Sequence, residues 1–376
     1  MSSARIVGLI VAAGYSSRMG TFKPLLPLGG KTVIEVAVDS LRMAGVADIR
    51  IVVGYRSAEL YPVLDQLQVD IIENPKYSQG MFSSVVAGLK TFAGDAEAFF
   101  LLPGDTPVIR RHSIKDVVRE YRKTNAAVVY PVFNGERGHP PLINATCFDR
   151  ILSGDGADGL RGILNEYEAD SVDVPVADQG ILLDMDTMED FNQLTCFYLR
   201  RHIPTYDECL AILNKHQDDD RVLQHGHMVA EIGKSLASHL NCAGLSLSTE
   251  LVYTGGLLHD LGKGKPNHPK RGERLLRCKG FSELSSIVAS HMDMELKPEC
   301  AIDEAALVFL ADKLVQGTRR VSLSERFTPA LDRFAGNREI IDAISRRKRT
   351  AEVIWNQAAS ILGMHLDEIV FSANNP

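Results

Sequence analysis

Short apolar runs alternate with longer amphipathic stretches through roughly the first half of the chain, and after Phe191 strand-like runs become rare. Ile6 to Ala12, Ile49 to Val53, Phe99 to Leu102 and Ala126 to Tyr130 read as buried strands. Val33 to Ala44, Met81 to Thr91 and Ile114 to Thr124 read as the helices between them. Strands alternating with helices predict an α/β domain with a largely parallel sheet, whose ligands sit beyond the carboxyl ends of the strands. Helical periodicity dominates from about Thr205 to Leu362, at Leu223 to Leu240, Leu251 to His259, Phe281 to His291, Ala301 to Val315 and Thr350 to Leu362. The second domain is expected to be all-α. Expected limits are 1–197 for the first domain, 198–215 for a linker, 216–345 for the second domain and 346–376 for a C-terminal helix and tail.

A chain of 376 residues is more than one compact domain usually needs, which agrees with two. A net charge of -7 without long charged blocks argues against a broad nucleic-acid surface. The six cysteines, Cys147, Cys196, Cys209, Cys242, Cys278 and Cys300, contain no C-x-x-C pair, so a cytoplasmic protein with free thiols is expected. The apolar run from Ile6 is short and ends in a glycine turn, which reads as a strand and not as a signal peptide or membrane span.

That turn carries the first chemical signal: Ala12-Ala13-Gly14-Tyr15-Ser16-Ser17-Arg18-Met19-Gly20, then Lys23-Pro24. Glycine permits a sharp turn that leaves backbone N-H groups facing phosphate oxygens, and Arg18 and Lys23 supply positive charge for a triphosphate. The loop matches neither the P-loop nor the dinucleotide fingerprint. Phe99 to Leu102 leads into Pro103-Gly-Asp105-Thr-Pro107, delivering a carboxylate at a strand end where magnesium prefers oxygen ligands. Gly180 to Asp190 resembles another strand terminus; a strand through it would put Asp184 and Asp186 on one face, with Asp186 completing the site of Asp105 and Asp190 capping the next helix. Taken singly, these residues also fit a solvated glycine loop and a turn-capping aspartate. Together they suit attack of a phosphate oxygen on the α-phosphorus of a nucleoside triphosphate, which requires no protein nucleophile.

Residues 5 to 195 resemble the molybdenum-cofactor nucleotidyltransferase family, particularly its molybdopterin cytidylyltransferases. The resemblance rests on Ala12 to Gly20, Lys23 to Leu26, Asn74 to Gly80, Pro103 to Pro107, Arg137 to Pro140 and Asp184 to Asp190. Tyr77 stands where the family usually presents tryptophan. The resemblance implies a Rossmann-like nucleotidyltransferase fold. It implies nucleotide phosphate on Ala12, Ala13, Gly14, Ser16, Ser17, Arg18, Met19, Gly20 and Lys23, with Gly80 beside the nucleotide. It also implies Mg2+ on Asp105 and Asp186, and the acceptor phosphate near Arg137, Gly138 and His139. Ala-Ala-Gly at 12 to 14 resembles the cytidine-using form, so CTP is expected over GTP.

In the second half, Leu257-Leu-His259-Asp260-Leu-Gly-Lys263 sets adjacent nitrogen and oxygen ligands at a helix end, and His225, His268, His291 and Asp312 offer partners. The pattern over about 216 to 330 resembles the metal-dependent phosphohydrolase superfamily named for its His-Asp (HD) pair. The resemblance implies a core site of His225, His259, Asp260 and Asp312, with His227 as the alternative first ligand. His268 and His291 match the additional ligands of two-metal members. Mn2+ or Fe2+ suits these mixed donors, Lys263 would stabilise phosphate charge, and Thr318-Arg319-Arg320 matches a segment near the substrate.

The reading is therefore bifunctional: transfer of CMP from CTP to molybdopterin, giving molybdopterin cytosine dinucleotide and pyrophosphate, and a phosphohydrolase site of unassigned substrate. A molybdenum hydroxylase is the expected recipient of the dinucleotide, with neither nucleic acid nor membrane as partner. The alternatives are a sugar or alcohol phosphate acceptor, or a cofactor-binding chaperone with a regulatory HD domain.

Overall fold

The computed structural model describes residues 5–15, 19–154, 156, 158–216, 219–294 and 301–371. Ser16, Ser17, Arg18 and Cys300 lie outside them. The chain divides into two compact units, Met1–Arg201 and His202–Pro376. The first is a mixed-sheet α/β unit and the second is helical.

The 8-stranded sheet of the first unit comprises β1 (Ile6–Ala12), β2 (Asp48–Val53), β3 (Asp70–Glu73), β4 (Ala98–Pro103), β5 (Val128–Phe133), β6 (Glu136–Arg137), β7 (Leu142–Asn144) and β8 (Ser171–Pro175). Their order is β8-β5-β7-β4-β1-β2-β3, with β6 paired to β5. The sheet is more mixed than the sequence predicts, because β7 runs antiparallel to both β4 and β5. The short connection between β5 and β7 leaves no room for the crossover a parallel strand needs.

The helices of this unit are α1 (Val33–Ala44), α2 (Ser57–Leu67), α3 (Met81–Leu89), α4 (Arg111–Thr124), α5 (Phe148–Ser153), α6 (Gly159–Asn165) and α7 (Met188–Leu199). A capping box between Thr32 and Glu35 starts α1, and Gly45 ends it in the left-handed conformation that glycine adopts without cost. Strand alternation sends Val7 and Leu9 of β1 towards α3 and α5, where Phe92, Phe99 and Phe148 pack with ring centroids 5.6 to 6.2 Å apart. Each such buried side chain contributes about 1.5–3 kcal/mol of transfer free energy. Register then places the site: Val11 pairs with Pro103 and Ala12 with Val53, so the carboxyl ends of β1, β2 and β4 finish level.

The second unit contains α8 (Tyr206–His216), α9 (Asp220–Cys242), α10 (Thr249–Leu258), α11 (His268–Lys279), α12 (Ser282–Ser290), α13 (Glu304–Lys313), α14 (Leu323–Arg333), α15 (Arg338–Leu362) and α16 (Asp367–Val370). A small antiparallel ribbon joins Val315–Gln316 to Arg319–Arg320. The helices α9 and α10 approach closely because glycine lies at their contact. A Cβ on Gly256 would stand 2.5 Å from Ala230 Cα, and one on Gly226 would stand 2.8 Å from the Leu257 carbonyl oxygen. This contact draws His225 on α9 towards His259 at the end of α10. No helix among the described residues is long and apolar enough to cross a membrane.

Gly256→Ala is expected to cost about 1–3 kcal/mol through overpacking against backbone, read as a lowered denaturant midpoint of the second unit. Unchanged stability would show that the two helices separate freely.

Candidate functional sites

At the level ends of β1 and β4, Gly104 N donates to the Val11 carbonyl at 2.9 Å, setting Asp105 beside Ala12 to Gly14. Lys23, nine-tenths buried, donates to Asp105 Oδ2 at 3.2 Å and to Asp186 Oδ1 at 3.0 Å. One ammonium thus brings together two carboxylates that are 81 positions apart in sequence. Ala12, Ala13, Gly14, Lys23, Gly80 and Asp105 line a cavity of about 330 Å3 with Tyr15 and Tyr77. A larger cleft, about 960 Å3, lies at the amino ends of β1 and β2 beside Arg5 and Asp48, away from these groups.

The segment that delivers Asp186 is not a strand. It opens with a 3-10 turn, Gln179–Leu182, organised by Asp178, which is fully buried and accepts from Gly180 N, Arg110 N and Ser113 Oγ at 2.7 to 3.0 Å. Any Cβ on Gly180 would collide with the Val108 carbonyl oxygen. Burial of Met185 in the core between Met19, Val108 and Phe191 then presents its two neighbours, Asp184 and Asp186, outward. Partial desolvation and the nearby Asp105 and Asp186 carboxylates raise the Asp184 carboxyl above its ordinary range. Asp190 forms a capping box with Thr187 at the start of α7.

Gly138 and His139 adjoin the same segment. His139 N donates to the Ile181 carbonyl at 2.9 Å, and a Cβ on Gly138 would lie 2.4 Å from that oxygen. His139 Nδ1 is buried without a hydrogen-bond partner among the described residues. Burial lowers the imidazole pKa, with the Asp105 charge opposing. Arg137 is instead engaged by Glu168 and Asp173 at 2.7 to 2.8 Å and lies over the Tyr130 ring. Met19 is buried in the core and Gly20 takes a left-handed turn, φ +66. Tyr15, Tyr55 and Tyr77 form an aromatic cluster, Tyr15 lying 5.2 and 5.3 Å from the other two ring centroids.

In the helical unit, His259 and His291 occupy the C-cap positions of α10 and α12, and each sets its Nδ1 2.7 Å from the carbonyl three residues back, Gly256 and Val288. His225 Nδ1 lies 2.9 Å from the Gly317 carbonyl, supplied by the small ribbon. A carbonyl only accepts, so each Nδ1 carries the proton and each Nε2 is left for a ligand. His225 Nε2 lies 3.2 Å from Asp312 Oδ1, and His259 Nε2 lies 3.4 Å from Asp260 Oδ2 and 3.5 Å from Asp312 Oδ1. On the other oxygen of Asp260, Oδ1, His268 Nε2 stands at 3.3 Å and His291 Nε2 at 3.7 Å. Two ligand sets, His225-His259-Asp260 and Asp260-His268-His291, therefore share one carboxylate. His227 lies apart from them, 3.2 Å from the Tyr206 hydroxyl.

The fit to a divalent cation is good: His259 is wholly buried, yet its Nε2 makes no hydrogen bond among the described residues and faces two carboxylates. Burial alone would lower the His259 pKa, but Asp260 and Asp312 outweigh it and raise it to about 10. Burial likewise opposes ionisation of Asp312, which the neighbouring Lys313 ammonium and the two histidines nevertheless hold well below the usual range. Lys313, which the sequence reading did not single out, is buried and donates to Asp312 and to the His291 carbonyl. Its only sequence signal is a charge set inside the apolar run of Val308 to Val315. Lys263 donates to Asp260. Arg320 donates to the Val370 carbonyl, and Arg319 is exposed.

Residues 8–172 match the MobA-like NTP transferase domain and residues 222–316 match the HD domain. The molybdenum cofactor cytidylyltransferase of Escherichia coli (strain K12) is 32% identical over 184 residues, covering 49% of this chain and 92% of that protein. The chain belongs to the MobA-like NTP transferase family. A probable molybdenum cofactor guanylyltransferase of Natranaerobius thermophilus is 28% identical over 35% of this chain and 62% of its own length. A nucleotidyl transferase from Methanothermobacter thermautotroptrophicus aligns with a TM-score of 0.46 at 22% identity, over 52% of this chain and 99% of that one. The chain couples a nucleotidyltransferase domain to a metal-dependent phosphohydrolase domain with a divalent-metal-binding cluster.

Because Asp260 and Asp312 raise its pKa, His259 holds a second proton on Nε2, the atom a cation would take. Mn2+ affinity is therefore expected to rise roughly tenfold per pH unit between pH 7 and 9 with release of about one proton, measured by calorimetry in buffers of different ionisation heat. An affinity independent of pH would place the cation elsewhere.

Proposed function

We propose that the first unit transfers CMP from CTP to the phosphate of molybdopterin, forming molybdopterin cytosine dinucleotide and pyrophosphate. The observation that carries this reading is Lys23 held between Asp105 and Asp186, level with the Ala12-Ala13-Gly14 turn. An oxygen of the acceptor phosphate attacks the α-phosphorus, the α-β bridging bond breaks, and its electron pair leaves with pyrophosphate. The backbone of residues 12 to 14 with Gly80 holds the nucleotide, and Lys23 offsets phosphate charge. Ser16, Ser17 and Arg18 are assigned to the phosphates on the family resemblance. Mg2+, suited to the all-oxygen pair Asp105 and Asp186, would supply charge neutralisation when bound.

Cytidine is favoured on the family resemblance, because Ala13 stands where guanosine-using relatives carry glycine, and Ala13 lines the cavity. The 92% coverage of a cytidylyltransferase supports the same choice. Gly138 and His139 approach the acceptor side, and a molybdenum hydroxylase would receive the product. A sugar or alcohol phosphate remains the second reading, supported by the engagement of Arg137 with Glu168 and Asp173, which draws its charge from an acceptor.

In the second unit His225, His259, Asp260 and Asp312 would hold one transition-metal ion, Mn2+ or Fe2+, and Asp260, His268 and His291 a second. Such ions lower the pKa of water for attack on phosphorus. Lys263 would stabilise charge on the phosphate.

With CTP, molybdopterin and Mg2+, mass analysis is expected to detect the cytosine dinucleotide, reduced at least roughly a hundredfold in Asp105→Ala; no product with either CTP or GTP overturns the molybdopterin reading. Tyr15→Ala should raise KM for CTP roughly two- to tenfold through lost stacking. Equal KM in the variant would remove Tyr15 from the nucleotide site. His268→Ala should leave about one bound metal where the parent chain holds about two, counted by elemental analysis. Retention of both would remove His268 from the ligand set.

A further inference from the structure

From Gly262 to Gly272 the chain reads Gly-Lys-Gly-Lys-Pro-Asn-His-Pro-Lys-Arg-Gly: four cations and no acidic residue, in a chain of net charge -7. Left-handed turns at Gly262 and Gly264, φ +85 and +87, wrap this stretch back beside the ligand cluster. Lys263 N and Lys265 N close successive turns on the carbonyls of Asp260 and Gly262 at 2.8 and 3.1 Å. The stretch then enters α11 at His268, whose Nε2 belongs to the cluster. Lys263 reaches Asp260, and the Arg271 side chain lies along Gly262, its Cδ 3.2 Å from where a Cβ would stand. Lys265, Lys270 and Arg271 are exposed.

This arrangement is electrostatically unfavourable for the protein alone. A helix N-terminus carries partial positive charge and favours anions, yet α11 has no acidic residue in its first turn, no side-chain cap from Asn267, and Lys270 and Arg271 in place of both. A local rule broken at the mouth of a site, without compensation inside the stretch, points to a ligand supplied from outside. The second observation lies deeper: Nε2 of fully buried His259 makes no hydrogen bond among the described residues and faces into the same cluster. A ligand satisfying both ends carries more negative charge than one phosphate contributes.

We infer that residues 262–272 form a collar that binds a phosphoanhydride, and that its occupant is inorganic pyrophosphate, the leaving group of the transferase reaction. The inference rests on the phosphohydrolase reading of this unit. One phosphate group meets the buried cluster and the other meets Lys265, Lys270 and Arg271. A water oxygen forms a bond to one phosphorus, the bridging P-O bond breaks with its electron pair on the departing phosphate, and trianionic pyrophosphate plus water yields two hydrogenphosphate dianions and a proton. Removal of pyrophosphate would draw the nucleotidyl transfer towards product.

The test uses the full-length chain. Hydrogen exchange across 262–272 is followed by mass spectrometry while inorganic pyrophosphate is titrated in EDTA. Phosphate release is then measured with Mn2+ from pyrophosphate, CTP and p-nitrophenyl phosphate. Saturable protection of the stretch is expected, its affinity weakened roughly tenfold in the Lys265→Gln, Arg271→Gln double variant, with phosphate release from pyrophosphate lost in His259→Ala. Because both glutamines replace exposed side chains, unchanged exchange in the other helices confirms that the double variant folds. Cleavage of p-nitrophenyl phosphate, with pyrophosphate neither protecting nor cleaved, overturns the collar and leaves the phosphohydrolase reading standing. Cleavage of none of the three, without protection, overturns both. Cleavage of CTP with pyrophosphate intact overturns the free anion as occupant.

Discussion

Carboxylates gathered at close range repel one another, and in both units lysine ammonium groups hold them together. Lys23 spans Asp105 and Asp186, Lys313 holds Asp312, and Lys263 holds Asp260. Without these pairs the convergence would cost free energy on desolvation alone. With them, each site is kept in a geometry that a divalent cation can enter. The surrounding architecture serves this convergence: level strand ends in the first unit, and close helix crossings in the second.

The two units reach it by different means. In the first, parallel register delivers Asp105 and a buried capping aspartate, Asp178, shapes the loop that brings Asp186. In the second, helix ends place the histidines, and backbone carbonyls fix their tautomers. His259 and His291 use the same local device, a C-cap imidazole turned back onto its own helix, so that neither needs a side-chain partner to stay oriented.

Elements with strong periodicity were legible from sequence. The strand Ile6–Ala12 and the helix Val33–Ala44 have the boundaries that the apolar pattern predicts. The convergence of Asp105 with Asp186 and of His225 with Asp312 follows from ligand-type residues at the ends of elements together with the family resemblance, because periodicity carries no information about long-range approach. The strand terminus read at Gly180 to Asp190 fails for a physical reason: the sequence pattern cannot reveal that Asp178 is buried and takes the Gly180 N-H. Antiparallel β7 is too short to announce itself. Lys313 escaped notice because a charged residue beside Asp312 reads as a solvated helix face, whereas α13 is buried around it. Arg137 was placed near an acceptor by its motif, while its charge partners lie 31 and 36 positions away.

Asp260 faces a different pair of histidines with each of its oxygens. One position in the chain thus answers to two environments at once. Lengthening it to glutamate moves both oxygens, and amidating it to asparagine exchanges an acceptor for a donor on one side or the other. Neighbouring ligand positions each serve one set and can drift with compensation nearby, but no single second change compensates both sides of residue 260. The mutational tolerance of the helical unit is therefore narrowest at this residue.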